Sequence, residues 1–356
     1  MRGAPRCTAL LLGAALLVMA PVLAAKPVDT PRAAIATTVS AIPITFDRDR
    51  PDRVAFGKLV FRGGLNLFAK SRYFGGYSGL ALDTSGMALL AVSDAGTFMR
   101  ATVDYDGRKL KALQDVVIGP ILGKDGRPLR TGAERDSEGL ALAGGDTRTG
   151  KAFVSFERKH RILRYPFTAK SFGPPDNIVH LPEEARAMGA NLGIEAIALI
   201  RAGRLKGTIA AFSERLKDKS GNLKGWLVGG PRPGSITVRR LGGFDITDAA
   251  GLPDGGIVLL ERRFRYAEGI KMRIRRIAPG ELKRGALIEG EVLLEAADNL
   301  NIDNMEAIAA HRARSGETIL TLMSDDNFSP LQRSLIMQFA LPEGKRVATE
   351  PRPSPR

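Results

Sequence analysis

The chain carries one cysteine, one tryptophan and three histidines in 356 residues. Each scarcity closes a class of function. Cys7 precedes an N-terminal apolar run, inside a stretch that reads as a leader, so the mature chain is expected to have neither disulfide nor thiol chemistry. His160, His180 and His311 show no metal-ligand spacing. There is no Walker loop and no Arg-His-Gly phosphatase motif. No basic helix and no aromatic-interleaved basic stripe accompanies the formal net charge of +15, so nucleic acid is not the expected partner. The charge points instead to a small anionic substrate such as a phosphate ester, to lipid headgroups, or simply to solubility. The one long apolar run, residues 10–23, is interrupted by Gly13 and Pro21 and is shorter than a membrane-spanning helix needs.

What is present begins with that run. Arg2 and Arg6 ahead of it, and the small residues around Ala24 and Ala25 behind it, predict a cleaved signal peptide over 1–25 and a periplasmic or secreted product without a transmembrane segment. Residues 26–50, rich in Pro, Thr and Ala, read as a linker. Residues 51–345 read as one domain, and 346–356 as a disordered tail.

Inside the domain one phrase recurs. It is clearest as Asp136-Ser-Glu-Gly-Leu-Ala-Leu142, Ile194-Glu-Ala-Ile-Ala-Leu199 and Met305-Glu-Ala-Ile-Ala-Ala310. Tyr77-Ser-Gly-Leu-Ala-Leu82 and Thr247-Asp-Ala-Ala-Gly-Leu252 are weaker copies. Aligned on Ser78, Glu138, Glu195, Asp248 and Glu306, the copies are 60, 57, 53 and 58 residues apart. A second apolar segment in each copy ends at an acid: Asp94, Glu157, Glu214, Glu261 and Asp325. The unit is an antiparallel hairpin with an acid where it begins and another where it ends, at the same end of the hairpin. Short strands, Gly/Asp/Pro turns and a constant period predict an all-β fold, a β-propeller of five or six blades. The last repeat lacks its outermost strand, and an unassigned strand at 54–61 is placed to complete it and close the ring. Helical signal is confined to one or two turns within 182–188.

In a propeller these acids converge on one mouth of the axis. Crowded carboxylates raise one another's pKa unless cations neutralise them. Arg135, Arg158, Arg215 and Arg262 supply part of that charge and suit substrate binding. A hard cation such as Ca²⁺, which takes six to eight oxygen ligands, would supply the rest through Glu138, Glu195, Glu306 and Asp325. Glu157 or Asp326 would remain as the catalytic base. Each repeated acid has a structural alternative, in which its carboxylate accepts backbone N–H groups of the neighbouring blade. Gly75-Gly-Tyr-Ser78-Gly79 lacks the second glycine of a nucleophile elbow, which leaves a carboxylic-ester reading without a nucleophile.

Several segments together resemble a known family. They are Arg135-Asp-Ser-Glu-Gly-Leu-Ala141, Phe244-Asp-Ile-Thr-Asp248, Asp303-Asn-Met-Glu-Ala-Ile-Ala309 and Met323-Ser-Asp-Asp-Asn327. This set resembles the phytase-like (esterase-like) domain of exported bacterial proteins, from about residue 54 to residue 341. The resemblance implies a β-propeller and hydrolysis of phosphate or other esters. A non-catalytic propeller that binds an anionic ligand or an envelope partner is the competing expectation.

Overall fold

The computed structural model describes residues 30–342 except 187, 190–192 and 298. The expected leader and tail lie outside them. The chain is 55% strand and 4% helix, in five sheets set as the blades of a β-propeller. The inner strands are Tyr77–Leu82, Ser137–Gly145, Ile194–Leu199, Asp245–Gly251 and Met305–Arg312. Each neighbours the next, and the fifth neighbours the first, so the ring is closed.

Closure is made by the N-terminal segment. Leu59–Ala69 pairs antiparallel with Ser334–Leu341 and supplies the outer strand that the fifth repeat lacks. A sixth blade does not form, because these residues complete the fifth. The expected linker is also structured in part. Val39–Ile44 adds outside Leu59–Ala69, and Ile35–Ala36 pairs with Lys109–Pro120 of the first blade. Its Pro and Thr content suits edge strands, where one side of the backbone needs no partner. One short segment thus ties the fifth blade to the first.

The apolar residues of the strands face their neighbours and form five buried clusters, one in each blade–blade interface. The axis itself is nearly filled. Leu80, Leu140, Ala249, Ala309 and their neighbours leave a cavity of about 20 Å³, room for about a single water. The inner strands meet closely. A Cβ on Gly79 would lie 2.4 Å from the Glu138 carbonyl oxygen, and one on Gly139 2.9 Å from that of Glu195. The glycine after the repeated Ser or Glu is therefore a packing requirement.

Candidate functional site at the acid mouth

In every blade the inner strand begins beside the end of the second strand. Tyr77 pairs with Ser93, Ser137 with Phe156, Ile194 with Ser213, Ile246 with Glu261 and Met305 with Ser324. Directly after each of these inner-strand residues the register shifts by one. The extra residue is Ser78, Glu195, Thr247 or Glu306, and in the second blade the bulge takes in Glu138 and Gly139. A bulge frees its residue from the ladder and re-aims the side chain. The bulges therefore hold Ser78, Glu138, Glu195, Thr247 and Glu306 at one mouth. One step further along each second strand stand Asp94, Glu157, Glu214, Arg262 and Asp325, the third and fourth within strands that continue to Lys217 and Arg265.

This register corrects the fourth repeat. Asp248 is one residue past the bulge, and Glu261 one residue short of that step, so both point elsewhere. Asp248 is fully buried, and its Oδ2 accepts the Ile308 N–H of the fifth blade at 2.7 Å. Burial raises its pKa well above the usual carboxylate range. Glu261 turns into the sheet against Arg275, with which it forms a buried ion pair, and Arg273 lies 3.8 Å away. For these two acids the structural alternative holds. The fourth blade instead offers Thr247, whose hydroxyl donates to the Met305 carbonyl at 3.2 Å, and Arg262.

The four expected ligands, Glu138, Glu195, Glu306 and Asp325, act on one another electrostatically. Burial raises Glu138 well above its normal pKa, with Glu195, Asp136 and Glu306 adding to it. Glu195 is raised by burial and then by Glu214 and Glu157. Asp325 is raised by burial and then by Glu306 and Asp94. Asp94 is pushed up to about 7, by burial first and then by Asp136 and Glu306. Asp136 is pushed up to about 6 by burial and Glu157, against the opposing pull of Arg158 and Arg161.

Two of these residues carry more than the sequence assigned. Asp94 joins the ring through its second-strand position. Asp136, Glu138 and Glu157 present oxygens within 4.8 Å of one another, and sequence reasoning did not place Asp136 in the site. Its Oδ2 has no aligned hydrogen-bond donor, although Arg158 Nε lies 2.8 Å away as an ion pair. Three anionic oxygen donors suit a hard cation, with water and backbone oxygens filling its shell. The signal lay two residues before three of the five bulges, where Asp136, Asp245 and Asn304 share one register; Gly76 and Gly193 hold it in the other two.

The expected arginines divide. Arg262 bridges the mouth, 3.0 Å from Glu306 and 3.8 Å from Glu214, and donates to Asn304 Oδ1. Arg215 pairs with the adjacent Glu214 at 2.8 Å. Arg158 stands by Asp136 on a positive φ of 31°. Arg135 ends the short helix Gly132–Arg135 and donates to Thr30 Oγ1 at 3.2 Å. Asp326 is committed to structure. Its Oδ1 accepts the N–H groups of Gly76 and Phe328, and its Oδ2 accepts the Ser334 hydroxyl at 2.6 Å. Asn327 and Phe328 after it have φ of 49° and 50°, so the loop is held in a conformation that non-glycine residues seldom adopt.

The mouth has two halves. Carboxylates come from every blade but the fourth, most densely as Asp136, Glu138 and Glu157 of the second, and Arg262 and Arg215 stand at the fourth and third. The molecule is thus a five-bladed propeller with one charged end. The chain belongs to the phytase-like family, since the profile described as "Phytase-like: Esterase-like activity of phytase" matches residues 72–328. No curated protein matches it. A solved structure titled "Structure of U3-55K" is similar at 12% identity, covering 79% of this chain and 77% of its own, with a TM-score of 0.34, too low to carry an argument.

Proposed function

We propose that the chain is an exported hydrolase of phosphate esters that works with a divalent cation, Ca²⁺ by the chemistry of the donors. Two observations carry this reading: the acidic trio Asp136, Glu138 and Glu157 of the second blade, and the guanidinium of Arg262, which reaches Glu306 and Glu214 from the fourth. One half suits a cation and the other suits the anionic group of an ester. Asp136, Glu138 and Glu157 would hold the cation, with Glu195, Glu306 and Asp325 around them. When bound, the cation supplies positive charge that polarises a phosphoryl oxygen.

The chain's own groups do the rest. Arg262 and Arg215 orient the phosphate and balance charge that develops on its equatorial oxygens. Asp94, raised to about 7, is poised to take a proton from the attacking water near neutral pH. This role replaces those expected for Glu157, which sits in the trio, and Asp326, whose oxygens are occupied. Export rests on the 1–25 segment, and N-terminal sequencing of the secreted product should begin near Ala25.

One observation favours a binding-only propeller. Arg158, Arg215 and Arg262 are each already paired with a carboxylate of the mouth. Phosphate release from inositol hexakisphosphate and from an aryl phosphate, with calcium and then with chelator, separates the two. Release that requires calcium is the expected result. No release from folded protein in either condition overturns the hydrolase reading.

A further inference from the structure

The acid end carries a feature that hydrolysis of a small ester does not use. Tyr266, Leu331 and Phe264 are the most exposed large hydrophobic residues of the described chain, at 98%, 91% and 67%. All three lie at the same end as the acids. Phe264 and Tyr266 belong to the hairpin joining Ile257–Arg265 to Gly269–Ile277 in the fourth blade. Leu331 belongs to the loop between Thr318–Ser324 and Ser334–Leu341 in the fifth.

The fourth-blade hairpin overshoots the ring. Its second strand has 9 residues, against 6 in the first blade. Its register runs without a shift from Ile257↔Ile277 to Arg265↔Gly269, so its faces alternate strictly. Phe264 therefore shares the face of Arg262 and stands about 7 Å beyond it, at two residues of strand rise. Arg263 and Arg265 take the other face, where they and Lys271 share one acid, Glu268. The adjacent third-blade hairpin also has a 9-residue second strand, which ends at the exposed Lys217, with Lys219 in its turn.

We propose that this end of the propeller docks on an anionic lipid surface, with Phe264, Tyr266 and Leu331 entering the headgroup layer and the basic hairpins flanking them. Apolar tips bordered by cations are the arrangement that binds the bilayer interface, where buried apolar area and attraction to anionic lipid add. The excess of Arg and Lys over Glu268 on the fourth-blade hairpin gives the charge complementarity. Docking in this orientation would hold the mouth against phosphate-bearing headgroups. The inference does not depend on turnover and stands apart from the hydrolytic reading.

The test is co-sedimentation of the folded protein with phosphatidylcholine vesicles, with and without phosphatidylglycerol. Chelator is included so that calcium cannot bridge carboxylate to lipid. Binding to the phosphatidylglycerol vesicles alone, weakening as salt is raised, is expected. The triple variant Phe264→Ser, Tyr266→Ser, Leu331→Ser should bind about tenfold more weakly with an unchanged melting temperature. Lys217→Glu with Lys219→Glu, on a separate hairpin, should also weaken binding. Wild-type protein that stays in the supernatant, or a triple variant that sediments like wild type, would overturn the proposal.

Discussion

The fourth and fifth blades start from the same local geometry and fill it with opposite charge. Both have a one-residue bulge at the start of the inner strand and, on the second strand, a residue one step beyond the pair that precedes the bulge. The fifth blade places Glu306 and Asp325 there, and the fourth places Thr247 and Arg262. Both blades are rich in acids, but those of the fourth, Asp248 and Glu261, are one residue out of phase and hold blades or strands together. In a strand, one residue is the difference between two faces. Acid content therefore says little about the site, and phase against the bulge says most of it.

The comparison is broken most severely by removing an in-phase acid. Glu138→Gln or Asp136→Asn should lower calcium-dependent phosphate release by about 100-fold or more, the usual scale for losing a group that acts on the transition state. Either change should also abolish the rise in melting temperature expected of the wild type on adding calcium. Glu306→Gln should lose activity in the same way and keep its fold. Retained turnover in any of these folded variants would remove that residue from the site.

An out-of-phase acid should fail differently. Glu261→Ala leaves Arg275, which is 0% exposed, as a buried charge without its carboxylate. Breaking such a pair costs about 3–5 kcal/mol. Urea unfolding should show that loss, while the protein that remains folded keeps its calcium response. A calcium response lost along with the stability would mean that Glu261 reaches the mouth.

Arg262→Ala tests the charge reversal itself. Its side chain is 24% exposed, so the stability loss should be about 1–2 kcal/mol, below that of a fully buried pair. Removing the guanidinium frees Glu306 and leaves Glu214 with Arg215 alone. Calcium affinity should rise several-fold by calorimetry, and affinity for inorganic phosphate should fall by a similar factor. If both affinities fall together, the two-halved mouth is wrong.

Proton linkage sharpens the same contrast. Asp94 at about 7 and Asp136 at about 6 keep protons in the folded chain that the unfolded chain has released by about pH 4. Between about pH 4 and 7 the folded state therefore binds more protons, and without calcium its stability falls as pH rises through that window. Calcium competes with those protons, so its stabilising effect should grow from about pH 5 to pH 8. Melting curves at both pH values, with calcium and with chelator, measure this. An increase in chelator-state stability over that range would contradict the raised acids.

Much of this was legible in the sequence. The period, the strand order within each repeat and the missing outer strand of the last repeat specified a closed propeller, and Leu59–Ala69 fills that place. The linker reading failed because an edge strand such as Val39–Ile44 tolerates proline, so the Pro and Thr content did not exclude a strand. In the site, Glu138, Glu195, Glu306 and Asp325 stood in phase because their repeats share a spacing of 19 between inner-strand and second-strand acid, or nearly so. The fourth repeat gave only 13 from Asp248 to Glu261, and that mismatch was the sign of a slip. Alignment on Asp136, Asp245 and Asn304 would have chosen Thr247. Bulges are backbone events, and no side-chain pattern marks them directly.

The smallest effect is expected where sequence alone would have predicted a large one. Asp248 was the repeat's own acid in the fourth blade, yet it sits fully buried, and its Oδ1 has no partner. Burial disfavours its charged form, so an uncharged amide of the same shape suits the site. Asp248→Asn can still accept the Ile308 N–H through its amide oxygen. The change should cost within about 1 kcal/mol, the net worth of one ordinary hydrogen bond. Calcium response and turnover should be those of wild type. If Asp248→Asn instead abolished either one, Asp248 would be a member of the ring. The fourth blade would then share the chemistry of the fifth instead of opposing it.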